Sequence, residues 1–234
     1  MAERACPVPA TIHDRFGEAL RTLQGKPAAL IEFLSGVSPT APTAAQAHAA
    51  GAALAGIHKG AQGFARSREP DWSTDRMQAV IEGNAARTWM RKARAICNQS
   101  TTTLPRGIIH SDLFPDNVLM DGDRVTGVID FYFAHSGALA YDLAVAHAAW
   151  SFDRDGSNYD PAIGAALIEG YESLRPLERE ERAALPVLSQ LACLRFLASR
   201  LEEWSTLPAH QRKDPGAFER RWLFYEAHGD ALFA

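Results

Sequence analysis

Apolar residues change their spacing several times along this chain, and each change marks an element. The run "AALIEFLSG" is continuous, of strand length and closed by Gly36, so residues 28–34 are expected to form a buried strand. Pro39 and Pro42 then break the chain. Thr43 with Gln46 supplies a capping box for a helix through "AAQAHAAGAALAGIHKGA", whose small residues suit close packing and which should end near Lys59. Beyond a loop at Pro70, Met77, Val80, Ile81, Trp89 and Ile96 recur at helical spacing.

The pattern is different in "IIHSDLFPDNVLMDGDRVTGVIDF", residues 108–131, where short β-branched and apolar runs alternate with acidic residues. Ile108 and Ile109 read as one strand, "NVLM" as a second and "RVTGVIDF" as a third, with Asp121-Gly122 giving the turn of a hairpin between the last two. From Gly137 the chain returns to helix: "GALAYDLAVAHAAW", "PAIGAALIEGYESL", a segment over 178–204 interrupted at Pro186, and a last helix over 218–228. No internal repeat or low-complexity tract occurs.

Composition narrows the function. The 234 residues, 47% of them hydrophobic, suffice for one domain or two small lobes. A net charge of −4 with both signs interspersed leaves no basic stripe, so nucleic acid is not an expected partner. "MAERACPVPATIHDR" has no apolar core of a leader, and no later run reads as long enough to span a bilayer, so a cytoplasmic protein with no membrane partner is expected. Cys6, Cys97 and Cys193 are odd in number and far apart, which fits neither a disulfide framework nor zinc spacing and leaves packing thiols.

The polar residues of 108–131 fall in a fixed order: His110-x-Asp112-x-x-x-x-Asn117, a hairpin, then Ile129-Asp130-Phe131. Phosphoryl transfer from a nucleotide needs an acceptor group for the incoming hydroxyl's proton and a metal that neutralises charge on the phosphate oxygens. Asp112 can hold the hydroxyl, while Asn117 and Asp130 offer hard oxygen ligands to Mg²⁺. The competing reading makes Asp112 and Asp130 turn aspartates at strand ends. His110 is expected to pack and orient the loop, and Asp116 to be solvated. Asp142, on an apolar helix face, needs buried partners. His58 and His147, among small apolar residues, read as core. In "CLRFLASRL", Arg195 and Arg200 either reach the surface along their aliphatic stems or supply a guanidinium fork for the carboxylate of an amino-acid substrate. Tyr132, in an aromatic run, is a candidate to line the acceptor pocket.

"GIIHSDLFPDNVLMDGDRVTGVIDFYFAHSGALAYDLAVAHAAW" resembles the catalytic and metal-binding segment of the aminoglycoside-phosphotransferase-like kinases, and most closely that of the homoserine kinases among them. "PVPATIHDRFGEALRTLQGKPAALIEFLSG" resembles the segment entering their adenine-binding hinge, and "LPVLSQLACLRFLASRLEEW" a late helix. The resemblance implies an α+β, protein-kinase-like fold, with residues 1–36 a remnant of the N-terminal lobe and the hinge, and 37–234 a helical catalytic lobe. It implies Asp112 as the catalytic aspartate, Asn117 and Asp130 as magnesium ligands, and Asp142 as a brace for the catalytic loop. Backbone groups of Glu32, Phe33 and Leu34 would meet adenine. The implied cofactors are ATP and Mg²⁺; the implied acceptor is L-homoserine, phosphorylated on the route to threonine. Another small alcohol (an amino alcohol or aminoglycoside) and a non-catalytic nucleotide-binding module are the alternatives.

One departure stands out. Kinases of this kind carry a phosphate-covering loop and a strand lysine ahead of the hinge, whereas only Lys26, in a Gly-Lys-Pro turn, precedes it here. A truncated copy with weakened ATP binding, and an exposed hinge strand prone to self-association, are the expectations.

Overall fold

Leu139–Trp150 forms a helix buried on every side, with Tyr141 its one residue not fully enclosed. The structure, a computed structural model, describes residues 6–84, 95–96 and 103–234. Alanine and leucine favour helix here, and the absence of a polar face requires neighbours all round. In chain order the α-helices whose bounds fall among the described residues are α1 (Ala44–Gly60), α2 (Thr74–Asn84), α3 (Leu139–Trp150), α4 (Pro161–Leu174), α5 (Arg179–Thr206) and α6 (Gly216–Leu232). α3 packs against α1, α4 and α5.

α1 begins as its sequence requires: Thr43 Oγ1 accepts from the Gln46 N–H while the Gln46 side chain accepts from the Thr43 N–H. Its small residues let α4 approach very closely. A Cβ at Gly51 would lie 2.0 Å from the Leu167 carbonyl oxygen, and one at Gly170 would lie 1.9 Å from that of His48. Only glycine fits either place. The helical spacing beyond Asn84, including Trp89, and Cys97 lie outside the described residues; Met77, Ile81 and Ile96 are buried.

α5 corrects two expectations. It runs unbroken through Pro186 rather than stopping there. Proline forfeits one backbone hydrogen bond and crowds the preceding turn, but α6 holds the site by packing Gly229 onto the Pro186 ring. Tertiary packing outweighs the local break. Arg179–Trp204 is also long and apolar enough, by length and composition, to cross a membrane, which the sequence reading did not foresee. Two thirds of its apolar window, 67%, is buried inside the protein, so these side chains face the core.

The strands among the described residues form four two-stranded antiparallel sheets. β6 (Val118–Asp121) and β7 (Arg124–Val128) make the expected hairpin, with Gly122 at positive φ in the turn. β5 (Arg106–Ile109) pairs with β8 (His135–Ala138), whose last two residues, Gly137 and Ala138, belong to the stretch expected to be helical. The extended partner β5 supplies the ladder that local sequence does not announce.

The buried strand expected over 28–34 is replaced by exposed short pieces. β2 (Arg21–Leu23) and β3 (Lys26–Ala28) form a tight hairpin turned by Gln24 and Gly25, and β1 (Thr11–Ile12) pairs with β4 (Leu30–Ile31). Leu30 is 65% exposed and Phe33 93%, because no helix lies over this face among the described residues. The segment is joined to the rest of the fold at both ends: Val37 exchanges two backbone hydrogen bonds with Met120 of β6 at 2.9 and 3.1 Å, Thr126 Oγ1 donates to the Ser35 carbonyl at 2.5 Å, and the Val128 N–H donates to the Pro7 carbonyl at 2.6 Å.

Candidate active site

β5 delivers the chain to a loop, residues 110–117, that is held from below by one buried carboxylate. Asp142, from the first turn of α3, accepts the backbone N–H of His110 and of Ser111, each at 2.6 Å. It also accepts Nε2–H of His58 at 2.9 Å, and both side chains are fully enclosed. Burial pushes the Asp142 carboxyl up, but the hydrogen bond and charge of His58, aided by His110, outweigh it and leave the carboxyl below its ordinary value. The network continues outward: His58 Nδ1 meets the Tyr171 hydroxyl at 2.8 Å, Arg175 donates to that hydroxyl at 3.2 Å, and Arg175 grips both oxygens of Glu181 at 3.0 Å. Satisfied in this way, a buried charge fixes a backbone instead of destabilising it. His58 lies on α1 and Tyr171 on α4, so the close α1–α4 crossing sets their separation.

His110 ties the loop to the hairpin. Its Nδ1 meets the Asp112 N–H at 3.2 Å and its Nε2 donates to the Ile129 carbonyl at 2.9 Å, which fixes the orientation of the ring. Leu113 and Phe114 anchor the far side: Leu113 is fully buried, its carbonyl accepts the Trp150 indole N–H at 3.0 Å, and Phe114 packs edge-on against Phe196. Ser111 and Asp130 both adopt φ 64°, the left-handed region that costs a side-chain-bearing residue energy. These two turns bracket the carboxylates of Asp112 and Asp130.

The three residues in the ordered motif come together at the open end of the hairpin. Asn117 Nδ2 donates to the Asp112 carbonyl at 2.8 Å and to its carboxylate at 3.3 Å. The Ile129 N–H donates to the Asn117 carbonyl at 3.0 Å, so the residue before Asp130 is hydrogen-bonded to Asn117. Asp130 is exposed, and its carboxylate makes no hydrogen bond or ion pair among the described residues. Burial raises the Asp112 carboxyl above its ordinary value; Arg195 and His110 pull it down, and the Asp130 and Asp116 charges push it up. No group of three or more His, Cys, Asp or Glu side chains that could hold a metal occurs among the described residues. Asp116 is exposed, as expected.

Beside Asp112 lies a cleft of about 260 Å³, lined among others by Arg195, Ser111, Phe133, Tyr141 and Asp71. Arg195 neither reaches the surface nor forms a close pair. It is 5% exposed, its Nη1 stands 3.6 Å from Asp112 Oδ1, and its guanidinium lies over Phe196 at 4.0 Å and Phe133 at 4.6 Å. Arg200 instead donates to the Asp214 carbonyl at 2.7 Å. The expected pocket residue Tyr132 is 69% exposed and does not line the cleft. The short 3₁₀ turn Phe131–Phe133 directs Tyr132 outward and brings Phe133 to the wall.

In the segment expected to meet adenine, Glu32 N–H donates to the Ala10 carbonyl at 2.9 Å, while the backbone groups of Phe33 and Leu34 make no hydrogen bond among the described residues. Leu34 leans on β7 over Gly127, where an added Cβ would lie 2.7 Å from Leu34 Cδ1. Sequence reasoning missed the partners of Asp142. His58 was assigned to the core, where it is, but its role as hydrogen-bond donor could have been sought once a carboxylate was placed on an apolar face. The acidic segment around Asp71 gave no signal at all.

The family model described as the phosphotransferase enzyme family matches residues 1–177. A homoserine kinase of Methylobacterium radiotolerans is 44% identical over 97% of this chain and 74% of its own length. One from Phenylobacterium zucineum is 41% identical over 94% of this chain and 72% of its own. Among solved structures, an aminoglycoside phosphotransferase from Alicyclobacillus acidocaldarius superposes with a TM-score of 0.69 at 15% identity, covering 99% of this chain and 80% of that one. That likeness establishes a shared kinase-like fold, the mainly helical architecture with small sheets seen here. With a catalytic-loop motif folded onto a hairpin, and relatives of this similarity across nearly its whole length, the chain belongs to the phosphotransferase enzyme family, in company with the homoserine kinases.

Proposed function

We propose that this chain transfers the γ-phosphate of ATP to the side-chain hydroxyl of L-homoserine, giving O-phospho-L-homoserine. The observation that carries the reading is the hydrogen bonding that joins Asn117 to Asp112, and Ile129, the residue before Asp130, to Asn117. Asp112 holds the acceptor hydroxyl in line and takes its proton. The amide of Asn117 fixes that carboxylate, and the Asp142 brace fixes the backbone on either side of Ser111.

A divalent ion fits the remaining donors. Asn117 Oδ1 and the Asp130 carboxylate are hard oxygens that make no hydrogen bond among the described residues, and Mg²⁺ is characteristically held by one or two such ligands together with phosphate and water. When bound, it would supply charge neutralisation at the phosphate oxygens. The backbone of Phe33 and Leu34, without a hydrogen bond among the described residues and next to Glu32, supplies the edge for adenine. Residues 1–36 therefore act as the hinge side and 37–234 as the catalytic lobe of a soluble enzyme. Arg195, enclosed and without a hydrogen bond among the described residues, receives the acceptor's carboxylate.

The test is a panel of acceptors with Mg-ATP: L-homoserine, 3-aminopropan-1-ol and an aminoglycoside. L-Homoserine should give the highest kcat/KM. A stronger preference for either of the others would reassign the substrate, and nucleotide binding without phosphate transfer to any would make the chain a binding module.

A further inference from the structure

Arg195 is the starting point. Its side chain is buried, it lines the cleft, and among the described residues it makes no hydrogen bond; its nearest anion, Asp112, stands at 3.6 Å. A guanidinium with five donors, removed from water and left without hydrogen bonds, is poised for an anionic ligand group. The same cleft also has acidic residues in its wall, Glu69 and Asp71.

Asp71 is held in place from several directions. Arg68 Nη2 binds one of its carboxylate oxygens at 2.7 Å, and no group among the described residues binds the other. Arg68 itself is pinned to the segment that follows Asp130: its Nη1 donates to the Tyr132 carbonyl at 2.6 Å, and its own carbonyl accepts the Ser136 N–H at 3.0 Å. Arg76 donates to the Asp71 carbonyl at 2.9 Å, stacks on Trp72 at 4.0 Å and pairs with Glu202 of α5 at 2.7 Å. A carboxylate so fastened has already lost the freedom that binding would otherwise cost.

We infer that this cleft recognises its acceptor as a zwitterion, with Asp71 receiving the α-ammonium and Arg195 the α-carboxylate while Asp112 faces the hydroxyl. The inference rests on the homoserine reading and names the residue that makes the amino group count. At about 260 Å³ the cleft lies below the roughly 300–1,000 Å³ usual for ligand pockets, which suits a small amino acid better than a multi-ring aminosugar.

The experiment compares kcat/KM for L-homoserine with that for 4-hydroxybutyrate, which lacks the ammonium, in the unaltered protein and in Asp71→Asn. Asp71→Ser serves as a second variant, and KM for ATP reports whether the nucleotide side is intact. The unaltered protein should prefer homoserine. Asp71→Asn should lower homoserine turnover about ten- to a hundredfold, the loss of a charge-assisted hydrogen bond, and leave 4-hydroxybutyrate unchanged, so the ratio collapses. A ratio that stays constant in both variants while homoserine remains a substrate would overturn the ammonium assignment and leave the kinase reading standing. Failure of the unaltered protein to phosphorylate homoserine, with activity on another alcohol, would remove both.

Discussion

The β6–β7 hairpin and the β2–β3 hairpin use the same local chemistry and meet opposite fates. Each turns on a glycine at positive φ, Gly122 in one and Gly25 in the other, and each is a two-stranded antiparallel ribbon. In the first, Val118, Met120 and Val128 are buried against the helices. In the second, Leu23 is 68% exposed and has nothing to pack on among the described residues. Turn formation is decided by four residues, whereas burial is decided by what the rest of the chain brings alongside. The site sits where both decisions agree: a local turn that folds Asp130 back, and a buried helix that fixes the loop facing it.

That contrast can be tested by perturbing each side. The largest effect is expected at Asp112: Asp112→Asn should retain the thermal melt of the parent and lose about 10²- to 10⁴-fold in turnover with Mg-ATP. Full activity in that variant would remove the catalytic assignment. Next is Asp142→Ala, which leaves the His58 side chain and two backbone N–H groups buried without their acceptor. Urea unfolding should register a loss of about 3–5 kcal/mol, and a change confined to activity would mean that the brace is not structural.

His147 gives a pH signature of the same interior. Burial lowers its folded pKa to about 3 from 6.5, so below pH 6.5 the unfolded chain takes up a proton that the folded chain refuses. Stability should therefore fall as pH drops from 6.5 towards 3, by up to about 1.4 kcal/mol per pH unit. His147→Phe should flatten that slope in unfolding curves taken across the range. The smallest effect belongs to the outer region. Phe33→Ser, at a side chain 93% exposed, should shift unfolding by no more than about 0.5 kcal/mol; a larger destabilisation would show that this surface is covered in solution.

What could be read from sequence follows the same division. Thr43 with Gln46 and Asp121-Gly122 are local patterns, and each yielded the correct local geometry. β8 could not be read, because "HSGA" becomes a strand only through its ladder with β5. The continuity of α5 through Pro186 depends on Gly229 of another helix, and the enclosure of Arg195 on Phe133 and Phe196 around it. Composition around His58 announced burial but could not name Asp142, 84 positions away, as its partner.

The two rungs between Val37 and Met120 carry an implication for motion. Gly36, at φ 142° and with an added Cβ 2.4 Å from Thr126 Oγ1, leaves no room for a side chain at this junction. The outer ribbons are held at both ends, at this seam and where the Val128 N–H donates to the Pro7 carbonyl at 2.6 Å, which restrains their tilting. Because the seam lies on the strand that follows Asn117, a displacement of the ribbons would be passed to the residues beside Asp112.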